Sequence, residues 1–176
     1  MGPGRNALAA VGLLVGLGLT VALPGIPAAL LPEEGPALPG GRIDIGDGVA
    51  LTLPAGARLD LGDARPGSGD VTFRTGAVTV KVATSAVPDR PAEFIAHARH
   101  KLDRDEDLRP GPAEPWPTTA GVQGERGDLA PAGCYFAAVA EGAGVVVTMP
   151  DTGCGSAPPE VWSAISSITF EEAAKW

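Results

Sequence analysis

Several kinds of chemistry are missing from this 176-residue chain. It has no phosphate-cradling G-x-x-x-x-G-K-[ST] loop, no G-x-S-x-G nucleophile elbow and no H-E-x-x-H zinc motif. Cysteine is scarce: Cys134 and Cys154 are the only two, and they do not form the C-x-x-C of a dithiol redox centre. Positive charge is short as well. Thirteen Lys and Arg face 21 Asp and Glu, for a net charge of −8 and a pI near 4.7. A domain of that sign repels phosphate backbones and anionic lipid surfaces, which argues against nucleic acid as a partner. No cysteine lies near the end of the N-terminal apolar run, so a lipid-modified bacterial anchor is excluded. Arginine far outnumbers lysine and alanine is abundant, a composition typical of high-GC bacterial genomes.

What the chain does have is one long apolar run, residues 7–31 (ALAAVGLLVGLGLTVALPGIPAALL), with no charged residue. About 20 apolar residues suffice to cross a hydrocarbon core as a helix. Residues 7–23 contain no proline, and Pro24 and Pro27 then remove backbone donors and end the regular helix. Gly12 and Gly16 form a GxxxG spacing, a candidate helix-pairing face. Arg5 precedes the run and Glu33 and Glu34 follow it, which predicts a cytoplasmic N-terminus and an extracytoplasmic remainder. The alternative is a cleaved signal peptide, with small residues for cleavage at 20–22 or 27–29. Both readings place the rest of the chain outside the cytoplasm.

The expected organisation is therefore an anchor over 1–31, a Pro/Gly-rich linker over 32–42, one domain over 43–170 and a tail over 171–176. Glycine (25) and proline (18) are abundant, but regular strand patterns argue for a folded domain with many turns. Val49–Leu53 alternates as a half-buried strand, and Pro54-Ala55-Gly56 turns the chain toward a returning strand over 57–61. Strands at 71–74 and 78–82 flank a tight turn at Thr75-Gly76. Val78, Val80 and Val82 face one side and Thr79 and Lys81 the other, so one face of that sheet is wet or lightly covered. A helix follows Asp89 and Pro91, with Phe94, Ile95, Ala98 and Leu102 on one face and Glu93, His97 and His100 opposite. Residues 103–117 read as an acidic, proline-broken loop, and 119–129 as a strand with bulge or edge glycines. A hairpin pairs 134–140 with 145–149 about a turn at 141–144. It sets Cys134 and Cys154 across its open end, where an oxidising compartment would join them as a disulfide. A second helix, with Ser156 as candidate cap, carries Val161, Trp162, Ile165 and Ile168 as its core stripe. The fold class is α+β: a mainly antiparallel sheet with two packing helices, preceded by one N-terminal transmembrane helix.

Leu53-Pro54-Ala55-Gly56 ahead of a returning strand, the mid-chain helix, the long hairpin, and a final helix ending in Ser166-Ser167-Ile168-Thr169-Phe170 resemble small extracytoplasmic domains of the Mog1/PsbP-like fold. The resemblance covers about residues 43–170 and suggests an actinobacterial-type membrane-anchored or secreted protein. In that group tryptophan often follows the Leu-Pro-x-Gly turn; Ala57 stands there in this chain. The group is mostly non-enzymatic, and the resemblance implies no particular activity.

Three side-chain constellations bear on chemistry. Glu93, His97 and His100 share a helix face as three metal ligands would, but without a fourth partner or a dry surround. Asp103, Asp105, Asp107 and Glu114 match ligand positions of a calcium loop, but Leu108 replaces its glycine and prolines bar the exiting helix. Asp151-Thr152-Gly153 matches an aspartic-protease triplet without the second lobe such enzymes need. No metal, cofactor or catalytic residue is expected. Trp116, between two prolines, is expected at the surface, as a partner anchor or simply exposed. The chain reads as a non-enzymatic envelope protein, anchored by its N-terminal helix and acting as an interaction or accessory module on an envelope partner. The alternative is a secreted small-ligand-binding protein. A weaker one is a hydrolase using Asp151, His97 or His100.

Overall fold

The computed structural model of the chain describes residues 34–60, 69–87, 91–105 and 108–171. The predicted membrane helix and its Gly12–Gly16 pair lie outside them. Among the described residues no helix is long and apolar enough to cross a membrane.

Eleven described strands form two antiparallel sheets, and two helices pack on them. The strands are β1 (Glu34–Ala37), β2 (Gly41–Gly46), β3 (Val49–Leu53), β4 (Arg58–Asp60), β5 (Asp70–Thr75), β6 (Val78–Ala86), β7 (Arg109–Pro117), β8 (Gln123–Ala130), β9 (Gly133–Ala140), β10 (Ala143–Met149) and β11 (Thr169–Phe170). The helices are α1 (Pro91–Asp105) and α2 (Pro159–Ser166). The large sheet runs β1-β4-β5-β6-β10-β9-β8-β7, and the small one β11-β3-β2.

Period-two patterning builds the large sheet. Val71 and Phe73, Val78, Val80 and Val82, Cys134, Phe136 and Ala138, and Val145, Val147 and Met149 all point to one face and are buried. Ile45, Val49, Leu51 and Leu53 of the small sheet and Val161, Ala164, Ile165 and Ile168 from the α2 region close the same core. The opposite face carries a smaller cluster of Leu108, Leu129, Tyr135 and Ala137, against which Ile95 and Leu102 of α1 pack.

The β9–β10 hairpin closes through Glu141 and Gly142, both at positive φ (52° and 77°). That is the two-residue turn whose twist matches the strands, and its centre lies one and a half residues before Ala143, the middle about which the sequence would pair Cys134 with Thr152. Met149, not Thr152, therefore stands opposite Cys134. The chain then bends back, and Cys154 reaches Cys134 with a Cα–Cα distance of 4.9 Å.

Four sequence expectations are corrected. The linker reading of 32–42 fails because β1 and the first residues of β2 lie within it; β1 pairs with β4 at the sheet edge, where Pro36 is tolerated. The Leu-Pro-Ala-Gly turn does not return the chain to the same sheet. β3 pairs with β2 and β11, whereas β4 joins β1 and β5. Residues 103–117 are not a loop: 103–105 finish α1 and 109–117 form β7. Four prolines fit in β7 because it is an outermost strand with a partner, β8, on one side only. Ser156 does not cap α2. Its N-cap is Pro158, with no side-chain cap bond, and Pro159 opens the helix where a missing donor costs nothing.

Candidate functional site

The topology creates a groove. β6 lies mid-sheet and β7 at the far edge, so α1, which connects them, must cross the sheet face. It packs over β7, β9 and β10. Beyond α1 the same face leaves Lys81 and Ala83 of β6 exposed, while Thr72 of β5 is buried, and an open groove of about 740 Å³ runs between these strands and the flank of α1. This volume falls within the range of ligand sites, about 300–1,000 Å³.

Strand alternation sets the floor. Thr72 of β5, Lys81 of β6 and Thr148 of β10 are cross-strand neighbours in one row, so a lysine stands between two hydroxyls. Val146, one pair along, gives the floor an apolar patch. Helical spacing sets the wall: Phe94, His97, Ala98, Lys101 and Leu102 fall at i, i+3, i+4, i+7 and i+8. Phe94 lies directly over Gly144, where an added Cβ would come within 2.5 Å of its ring. Asp70 is the one carboxylate among the lining residues.

The far flank of α1 is fastened. Arg99 donates through Nη2 to the Gly111 carbonyl of β7 (3.0 Å) and lies 3.9 Å from Glu125 of β8. The Tyr135 hydroxyl donates to Glu125 Oε1 at 2.9 Å. Tyr135 is fully buried. Burial, then the hydrogen bond and charge of Glu125, hold its phenol well above the ordinary tyrosine value, with Arg99 opposing weakly. Patterning marks Tyr135 as a core position, but nothing in the sequence joins Arg99 to Glu125 and Tyr135. The groove wall is thus pinned from behind.

The other sequence candidates are scattered. Glu93, His97 and His100 are exposed, and only His97 reaches the groove. Among the described residues no three of His, Cys, Asp and Glu gather to hold a metal ion. The calcium-loop reading separates: Asp103 and Asp105 end α1, Glu114 on β7 pairs with Arg126, and Asp107 lies outside the described residues. Asp151 is exposed in the turn after β10, while Asp128 accepts the Cys154 amide at 2.9 Å. Trp116 is not a free surface aromatic. Its ring lies 5.1 Å from that of Trp162, and the Arg126 guanidinium stands 3.7 Å from its centroid. Its Nε1 is buried without a partner. Its ladder partner is Gly124, whose missing side chain leaves room for the Phe136 ring.

The groove residues come from β5, β6, β10 and α1, and only the wet face of β6, with Thr79 and Lys81 outward, signalled it in the sequence. No family model and no curated protein matches the chain. Among solved structures it is similar to cyanobacterial PsbP (CyanoP) from Synechocystis sp. PCC 6803, at 14% identity and a TM-score of 0.48 over 85% of this chain and 99% of that one. A match at this level fixes neither family nor function.

Proposed function

We propose that this chain is an extracytoplasmic accessory module, held at the membrane by its N-terminal apolar run, that binds a partner in the groove beside α1 and performs no chemistry of its own. The observation that carries the reading is the groove: a sheet face that α1 covers only in part, beside a helix fastened from behind. The disulfide fits an extracytoplasmic domain, since such bonds persist where the compartment is oxidising. The charge pattern around residues 7–31 supports an outward orientation.

The groove volume also suits a second reading, a released small-ligand-binding protein made by signal cleavage. Intact mass separates the two. Protein from native membrane and medium fractions is weighed with and without reduction and thiol labelling. A full-length mass in the membrane, labelled only after reduction, is expected. A mass beginning near Leu23 or Leu30 in the medium would favour release, and thiols that label without reduction would contradict the oxidised, outward domain.

A further inference from the structure

The groove has a charge opposite to that of the molecule. The chain has three lysines, Lys81, Lys101 and Lys175, against ten arginines. Lys81 and Lys101 both line the groove, and Lys175 lies outside the described residues. Both groove lysines are exposed. Neither makes an ion pair among the described residues, and neither does Asp70. His97 stands on the wall one turn before Lys101. The chain as a whole carries eight excess negative charges, so this cationic strip is a local reversal. Such a reversal steers an acidic partner toward the groove and away from the rest of the surface.

Shape and chemistry narrow the occupant. The groove is open along one side and follows the flank of a 15-residue helix, as suits an elongated segment entering sideways. Lysines act as point charges with rotatable donors, suited to carboxylates arriving at varied angles, whereas a single planar anion would favour arginine. Thr72 and Thr148 flank Lys81 with hydroxyl donors, and Phe94 and Val146 offer a contact for one apolar side chain.

We infer that the groove receives an acidic peptide segment of a protein partner, with its carboxylates on Lys81 and Lys101 and an apolar side chain against Phe94 and Val146. This inference rests on the binding-module reading of the same groove.

The test selects random twelve-residue displayed peptides on the full chain in detergent micelles. The affinity of the winners is then measured, together with the acylation rates of Lys81 and Lys101 with and without peptide. Winners rich in Asp and Glu around an aliphatic or aromatic residue are expected. They should slow acylation of both lysines at least about fivefold and weaken when salt rises from about 0.05 to about 0.3 M. Lys81→Glu with Lys101→Glu should raise Kd at least about tenfold. Lys81→Gln with Lys101→Gln should give a smaller rise in the same direction, with an unchanged melting temperature as the folding control. Winners that protect the lysines but carry no acidic bias would overturn the inference and leave the docking groove standing. Equal protection by inorganic phosphate at the same concentration would overturn the peptide in favour of a small-anion site. No winners, with unprotected lysines under every condition, would overturn both the inference and the binding module.

Discussion

The two faces of the large sheet are finished differently. One is sealed by the small sheet and α2 into a core containing Phe73, Phe136, Met149 and the core-facing valines of β5, β6 and β10, all fully or nearly fully buried. The other carries a single helix over one half, four buried residues beneath it, and an open groove beside it. The strands are the same, so the difference lies in the crossing connection. α2 and the small sheet close their face, whereas α1 runs from mid-sheet to one edge and leaves Lys81 and Ala83 of β6 exposed. The sealed face supplies stability, and the half-covered face supplies a surface.

Substitutions matched across the two faces sharpen that comparison. Phe136→Ala, in the sealed core, should cost about 3–5 kcal/mol of unfolding free energy, read by urea titration. Phe94→Ala, half-buried at the groove, should cost about 1–2 kcal/mol. Equal costs would break the division between faces. Removing the disulfide by Cys134→Ala with Cys154→Ala should cost about 3 kcal/mol, since the bond closes a loop with a sequence separation of 20. Gly124→Ala should cost about 1–3 kcal/mol, because its Cβ would meet the Phe136 ring at 2.6 Å and the Ala137 carbonyl at 2.8 Å. The three atoms nearest to a Gly144→Ala methyl all belong to the Phe94 ring, a half-buried side chain at the groove that can shift, so this change should cost under about 1 kcal/mol by the same titration.

A smaller effect tests the fastening of α1. Tyr135 is the only tyrosine, so tyrosinate absorbance during alkaline titration reports on it alone. Its folded value is raised above the unfolded one, so its contribution to stability is complete below about pH 10 and declines as pH rises beyond that. The folded protein should show no tyrosinate step at the ordinary tyrosine value. Tyr135→Phe should cost about 1 kcal/mol at neutral pH and flatten the alkaline loss. The smallest effect belongs to the groove: Lys81→Gln and Lys101→Gln should each change stability by less than about 0.5 kcal/mol.

The sealed face was largely legible because its information is local. Val78, Val80 and Val82 against Thr79 and Lys81, and the apolar stripe Val161, Ile165 and Ile168 of the α2 region, state their periods over a few residues. The edges were not. Prolines at 110, 112, 115 and 117 suggest a loop wherever the strand's neighbours are unknown, and only the position of β7 at the end of the sheet makes them acceptable. Trp116 read as exposed because the side chains that meet it, Arg126 and Trp162, come from other elements. The groove was half visible. The sequence showed that the outer face of β6 was wet, but not that α1 would cross to the opposite edge and bring Lys101 and His97 beside Lys81. That depends on strand order, which no local pattern carries.

The account stands most directly on one labelling experiment. Intact cells carrying the full-length protein are treated with a membrane-impermeant amine reagent, and the acylation of Lys81 and Lys101 is compared with that of the purified chain. The account predicts that both lysines react freely in the purified protein, are slowed in intact cells, and regain their reactivity there when the outer surface is washed with high salt. Lysines that react as fast on cells as in purified protein would contradict an occupied groove. Lysines that react only after the membrane is permeabilised would contradict the outward domain itself.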